Sequence, residues 1–167
     1  MPPIRKPQVD AADALLAVAP LASRWIERLL AQHDPPLTVS QYLALRAVSR
    51  EQLTGATLAR RTGVSGPAVS QLLTGLAKAG LLERHPDPED RRHQTLGLSK
   101  SGVQTYESAH TMLRINLGGL LEQLPHPEAD ALSRALPTVE AALAGTTPPR
   151  KPPPPHRAGM PSRGPRS

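Results

Sequence analysis

The segment from Ser65 to Gly80 constrains the fold more than any other part of the chain. It opens on a hydroxyl residue suited to cap a helix and carries Pro67 where a first turn needs no amide. It closes on a glycine, the residue a helix end prefers in the left-handed conformation. Val69, Leu72, Leu73 and Leu76 recur at helical spacing and must face a core. Ser65, Gly66, Ala68, Ser70, Gln71, Thr74 and Lys78 fall largely on the opposite side. That outer face is small, polar and nearly uncharged. It can approach another molecule closely, and a major groove is one fitting partner. A solvated helix of low charge would read the same way.

The flanking segments favour the groove. Upstream, Thr54 caps a short helix to about Arg61, and a turn follows at Gly63. Leu53 with Leu58 and Val64 with Val69 have the spacing of hydrophobic staples. Downstream, Leu81 and Leu82 lead into Glu83-Arg84-His85-Pro86, the acidic turn Asp87-Pro88-Glu89-Asp90, then Arg91-Arg92-His93-Gln94. A second strand follows, with Leu96 and Leu98 in alternation. Arginine at the tip of such a hairpin can enter a minor groove or clamp a phosphate. It can equally fold back on Asp90 or Asp87 to hold the turn. Arg91 and Arg92 take one role each, and spacing does not say which.

Asp90-x-Arg92-x-x-x-Leu96-x-Leu98-Ser99-x-x-Gly102 resembles the D-x-R-x-x-x-L-x-L-T-x-x-G wing signature of the MarR (multiple-antibiotic-resistance regulator) family. Serine stands where threonine is usual, which keeps the capping hydroxyl. LARRTGVSGPAVSQLLTGLAKAGLLER is similar to that family's helix-turn-helix, and the resemblance covers roughly residues 10–144. It implies a mainly α fold with a small β-wing: a winged helix-turn-helix with N- and C-terminal dimerisation helices. It further implies a homodimer on palindromic double-stranded DNA, a repressor modulated by a small molecule. In that family a ligand pocket lies between the dimerisation helices and the DNA-binding lobe. Trp25, Tyr42, Arg46, Tyr106 and His110 are placed to line it, and Arg46 with aromatic walls would suit a phenolic or aromatic acid.

The remaining chain fits that plan. Residues 1–9 read as a disordered arm and residues 10–33 as an apolar helix that Pro20 should kink or split. Thr38-x-x-Gln41 forms a capping box, with Leu37 and Tyr42 as staple. It opens a helix from Val39 to about Arg50, with Leu43, Leu45, Ala47 and Val48 available to the core. Ser99 starts a long helix over 101–124, and a last helix runs from Glu128, weakened at Pro137. The expected layout is one domain over 10–144, with dimerisation helices at 10–33 and 101–144 around a DNA-binding lobe at 38–100. A proline-rich basic tail over 145–167, expected to be disordered, completes the chain.

Charge contributes less than its total suggests. Of the net +6, the tail supplies five basic groups and no acid, leaving 15 basic against 14 acidic residues before it. DNA binding must therefore rest on where charges sit. With no cysteine, disulfides, thiolate metal sites and thiol sensing are excluded. No apolar run is long enough for a membrane span and no apolar signal core is present, so a cytoplasmic protein is expected. With no Phe, one Trp and two Tyr there is no stacking platform for single-stranded nucleic acid.

No phosphate loop, nucleophile elbow or paired-carboxylate signature appears, so no enzyme and no cofactor are expected. His33, His85, His93, His110, His126 and His156 are scattered, none at the i, i+4 spacing of a helical zinc pair, and no metal site is assigned. A metal-responsive regulator remains an alternative, since some members of the family sense zinc. A protein-interaction winged helix is the other, and would show little salt dependence on DNA.

The expected DNA-contacting residues are Ser65, Pro67, Ala68, Ser70, Gln71, Thr74, Lys78, Arg91 and Arg92. Gln71 suits a bidentate adenine contact, and Pro67 or Ala68 a thymine methyl. Thr74, Lys78 and the capping hydroxyls of Thr38 and Ser65 suit phosphate or structural roles. Asp90, Leu96, Leu98, Ser99 and Gly102 build the wing.

Overall fold

The computed structural model describes residues 5–51, 53–62, 65–86 and 94–145. Among these, six helices and one strand pair follow in order: α1 (Lys6–Gln32), α2 (Val39–Arg50), α3 (Gly55–Thr62), α4 (Gly66–Lys78), β1 (Leu82–Pro86), β2 (Gln94–Leu98), α5 (Lys100–Leu121) and α6 (His126–Gly145).

The local devices act as their chemistry dictates. Thr38 accepts from the Gln41 amide at 3.2 Å while the Gln41 side chain accepts from the Thr38 amide at 2.8 Å, closing the capping box of α2. Thr54 caps α3 through the Thr57 amide at 3.2 Å. Leu37 with Tyr42 and Leu53 with Leu58 are buried, as staples require. Gly80 ends α4 at φ +71°, a conformation that side chains with a Cβ rarely adopt.

The strands pair antiparallel in the register Leu82↔Leu98, Glu83↔Gly97, Arg84↔Leu96, His85↔Thr95 and Pro86↔Gln94. Leu96 also donates its amide to the Leu53 carbonyl at 2.8 Å, tying the wing to the chain before α3. The core is gathered from α2, α3, α4, the strands and the middle of α5. Leu30, Leu45, Leu58 and Leu76 are completely enclosed.

Several boundaries differ from expectation. The N-terminal helix begins at Lys6, inside the segment expected to be an arm. Pro20 neither splits nor ends it, and the helix continues on both sides. A proline removes a single ladder bond, and this stretch is exposed, where water can satisfy the freed carbonyl. On α2, Ala44 is buried and Leu43 exposed, a rotation of the inward face from the expected one. The long helix stops at Leu121, and the last one starts at His126 and runs through Pro137. Residues 1–4, 52 and 146–167, residues 63–64 with the expected turn at Gly63 and staple residue Val64, and the expected wing tip at 87–93 lie outside the described residues.

Ser99 organises the junction between α4 and α5. Its hydroxyl accepts from the Gly102 amide at 2.9 Å and donates to the Gly80 carbonyl, while its amide donates to the Leu81 carbonyl at 3.2 Å. A Cβ on Gly102 would overlap that same Leu81 oxygen. The Leu-Ser-x-x-Gly end of the wing is therefore a clasp that holds the end of α4 against the start of α5.

Candidate nucleic-acid interface

The two faces of α4 separate as the sequence requires. Val69, Leu73 and Leu76 are buried, while Ser65, Gly66, Pro67, Ala68, Ser70, Gln71, Thr74 and Lys78 are exposed. Pro67, Ser70, Gln71, Thr74, Gly75 and Lys78 line one shallow surface groove along the helix. No carboxylate side chain belongs to α4, so none interrupts this face.

The hydroxyls of Ser65 and Thr74 are used differently. Ser65 stands at the N-cap position of α4 but its side chain makes no capping hydrogen bond. The expected capping role of its hydroxyl is therefore not realised. Thr74 is the reverse. It donates its one proton to the Ser70 carbonyl at 2.8 Å, a back-bond within the helix that leaves only acceptor capacity. Thr38 is likewise committed to its capping box.

The wing stands beside α4. Leu96 and Ser99 are buried, Leu98 is half-buried and Gly102 is enclosed at the clasp. Asp90, Arg91 and Arg92 fall outside the described residues. Glu83, Arg84 and His85 are exposed on β1, and a small cavity of about 250 Å³ separates α3, α4 and the wing, with Arg84 and Ser70 in its wall.

The five residues expected around a ligand divide. Tyr42, Tyr106 and His110 come together as mutually stacked rings, with centroids 6.0 Å apart for the two tyrosines and 5.4 Å for Tyr106 and His110. Tyr42 Oη lies 2.8 Å from His110 Nδ1. Burial raises the Tyr42 phenol above its ordinary value, Tyr106 adds to the rise, and Arg46 and Arg50 oppose it. Burial lowers the His110 imidazole, reinforced by Arg114, Arg46 and Arg50. The two groups share this hydrogen bond, each able to donate or accept according to the imidazole tautomer. Trp25 does not join them. It lines a separate groove of about 880 Å³ between α1 and α5, beside Val18, Leu21, Ala22, Leu117 and Leu120. Its expected place follows from position along the chain, which does not say which side of α1 it occupies.

Some polar pairings have no signal in the sequence. Arg46 and Arg50 both reach Glu140 Oε1 on α6, at 3.2 and 3.4 Å. Their i, i+4 spacing on α2 signals a shared face, but nothing in the sequence names a partner so distant. His33, buried at the end of α1, donates from Nδ1 to the Pro35 carbonyl at 2.8 Å and meets Ser108 Oγ through Nε2 at 2.8 Å. That imidazole pins the end of α1 to α5. Among the described residues no group of three His, Cys, Asp or Glu side chains is arranged to hold a metal ion, and no helix is long and apolar enough to cross a membrane.

Comparison with known proteins agrees with this geometry. The MarR family profile matches residues 36–93, from the end of the α1–α2 connection to the wing tip. A Mycobacterium bovis protein, Mb0904, described as an uncharacterized HTH-type transcriptional regulator, is 30% identical over 130 residues, covering 76% of this chain and 91% of the relative. The crystal structure of RV1404 from Mycobacterium tuberculosis superposes with a TM-score of 0.70 at 28% identity, covering 84% of this chain and 95% of that one. A mutant MarR from E. coli complexed with operator DNA shares the fold, with a TM-score of 0.59 at 24% identity over 75% of this chain and 93% of that one. The relatives are transcriptional regulators rather than enzymes. This chain belongs to the MarR family of DNA-binding, winged helix-turn-helix transcriptional regulators.

Proposed function

We propose that the chain works in the cytoplasm as a homodimeric repressor on palindromic operators, with α4 in successive major grooves and the wing in the flanking minor grooves. The observation that carries this reading is the exposed, carboxylate-free face of α4, held rigidly over buried Val69, Leu73 and Leu76. Gln71 is assigned the bidentate adenine contact, and Pro67 or Ala68 a thymine methyl. Ser65, at the start of α4, and Lys78, in its last turn, are assigned to phosphates. Thr74 is assigned a supporting role because its proton is already committed. Arg91 and Arg92 carry the wing contact, with Asp90 bracing the turn. That a MarR protein from E. coli of the same fold was solved in complex with operator DNA supports operator binding as the function.

The dimer reading is supported by apolar side chains that the chain leaves open. Leu15, Leu16, Val18 and Leu21 on α1, Ile115 and Leu120 on α5, and Leu132, Leu136 and Leu143 on α6 are all exposed. The α1–α5 groove around Trp25 belongs to this base. The effector site is assigned to Tyr42, Arg46, Tyr106 and His110, without Trp25, and an aromatic or phenolic acid is its ligand class.

Two variants test the DNA assignment. Gln71→Ala should relax base preference at one position per half-site by about 1–3 kcal/mol, with the salt slope nearly unchanged. Arg91→Ala with Arg92→Ala should weaken binding to all duplexes and reduce the salt slope by about one for each phosphate no longer neutralised. Equal operator affinity for the double variant and wild type at every salt concentration would overturn the wing assignment.

A further inference from the structure

Arg46 and Arg50 converge on a single oxygen of Glu140, at 3.2 and 3.4 Å. The carboxylate comes from α6, a helix without a fully buried side chain among its described residues, whose Leu132, Leu136 and Leu143 face outward. The carboxylate is thus a polar tie between the last helix and α2. The pair is half-exposed, and such pairs contribute little net stability, so an incoming anion can replace it at small cost.

The surroundings suit such an anion. Tyr42 lies one turn before Arg46 and bonds His110, and Tyr106 and His110 present near-parallel rings 5.4 Å apart, inclined by 19°. After burial, the guanidiniums of Arg114, Arg46 and Arg50 are what hold the His110 imidazole towards its neutral form. Three positive charges thus act at one aromatic surface, and the first occupant of that field is the chain's own carboxylate.

We propose that Glu140 is an internal competitor for the effector: an aromatic carboxylate takes the place of its carboxylate on Arg46 and Arg50, so that ligand binding and the α2–α6 ion pair exclude one another. This rests on the effector site assigned above and adds how that site is regulated. The ligand's ring lies against Tyr106 and His110 while its carboxylate takes the guanidiniums. Because α6 belongs to the proposed dimer base and α2 to the DNA-reading lobe, displacing Glu140 loosens the link that fixes the two reading helices relative to each other. Linkage makes the effect reciprocal, so whatever releases α6 tightens the ligand.

The test uses the full-length protein with benzoate as probe and acetate at equal ionic strength as control. Calorimetry should show Glu140→Gln binding benzoate about two- to fivefold tighter than wild type, the range a half-exposed ion pair supplies. Arg46→Ala should bind it at least about tenfold more weakly, since it removes a charge-assisted hydrogen bond to the ligand. Hydrogen exchange over residues 126–143 should rise with benzoate in wild type and be raised already in Glu140→Gln without it. Equal benzoate affinity for wild type and Glu140→Gln, or unchanged exchange in α6, overturns the competition. Equal affinity for wild type and Arg46→Ala, or no binding to any variant, overturns the effector site itself and the competition with it. Operator binding by the same samples is scored separately, so a failure of the DNA reading is distinguishable from either result.

Discussion

The DNA-reading lobe and the helical base solve opposite problems. In the lobe, α2, α3, α4 and the strands bury their apolar residues, from Leu37 to Leu96, against one another and against Leu30 and the middle of α5, and the starts of α2 and α3 are fixed by capping hydroxyls. In the base, the described residues of α1 and α6 include one fully buried hydrophobic side chain, Leu30, and leave leucines facing water, with Leu16 72% and Leu143 66% exposed. The lobe buries its apolar side chains within one chain, whereas the base leaves many of its own exposed, as the proposed dimer requires. A regulator needs this division, because a rigid reader must be set at a fixed spacing by a separate coupling surface.

The sharpest way to break the comparison is to charge the base. Leu16→Asp combined with Leu120→Asp should abolish the proposed dimer while leaving the helical circular-dichroism spectrum unchanged. Each leucine buried at an interface contributes on the order of 1.5–3 kcal/mol, and a symmetric pair counts each substitution twice. Retained dimerisation in a sedimentation experiment would place the interface elsewhere.

Next in size is the clasp between lobe and base. Gly102→Ala should destabilise the fold by about 3 kcal/mol in a denaturant titration, because its Cβ would overlap the Leu81 carbonyl and the backbone has to shift. An unchanged midpoint would show that the α4–α5 junction is softer than its hydrogen bonds imply.

Within the lobe, Thr38→Ala should cost about 1 kcal/mol, the ordinary value of an N-cap, read as a lowered Tm with no change in oligomeric state. The smallest effect concerns acid. The folded protein holds His110 below its ordinary value, through burial first and then Arg114, Arg46 and Arg50, so the unfolded chain takes up the proton more readily. Stability from this group is present above about pH 6.5 and is lost as pH falls through that value towards the lower folded one. His110→Gln should flatten that part of the stability profile, and an identical slope for wild type and variant would contradict it.

The same division explains what can be read from the sequence. Thr38 with Gln41, Thr54, Gly80 and Ser99 write helix ends locally, within three or four residues of the groups they satisfy, and the structure follows them. Ser65 has the composition of a cap yet leaves its hydroxyl unused by the helix, since composition does not fix a side-chain torsion. Pro20 and Pro137 look like breaks but sit in helices whose exposed stretches tolerate the absence of one ladder bond. The effector cluster is half legible. Tyr42, Tyr106 and His110 meet because α2 packs on α5, whereas Trp25 faces another groove and Glu140 arrives from 94 residues beyond Arg46. Such pairings are set by packing between distant helices, which local patterns do not encode.

The most direct test of the whole account is sedimentation of the full-length protein with a fluorescent palindromic duplex selected by the protein from genomic fragments. Two chains should bind each duplex as a unit, with half-sites about one helical turn apart and no stable one-chain complex. One chain per duplex, or a monomer in solution that keeps full operator affinity, would contradict it.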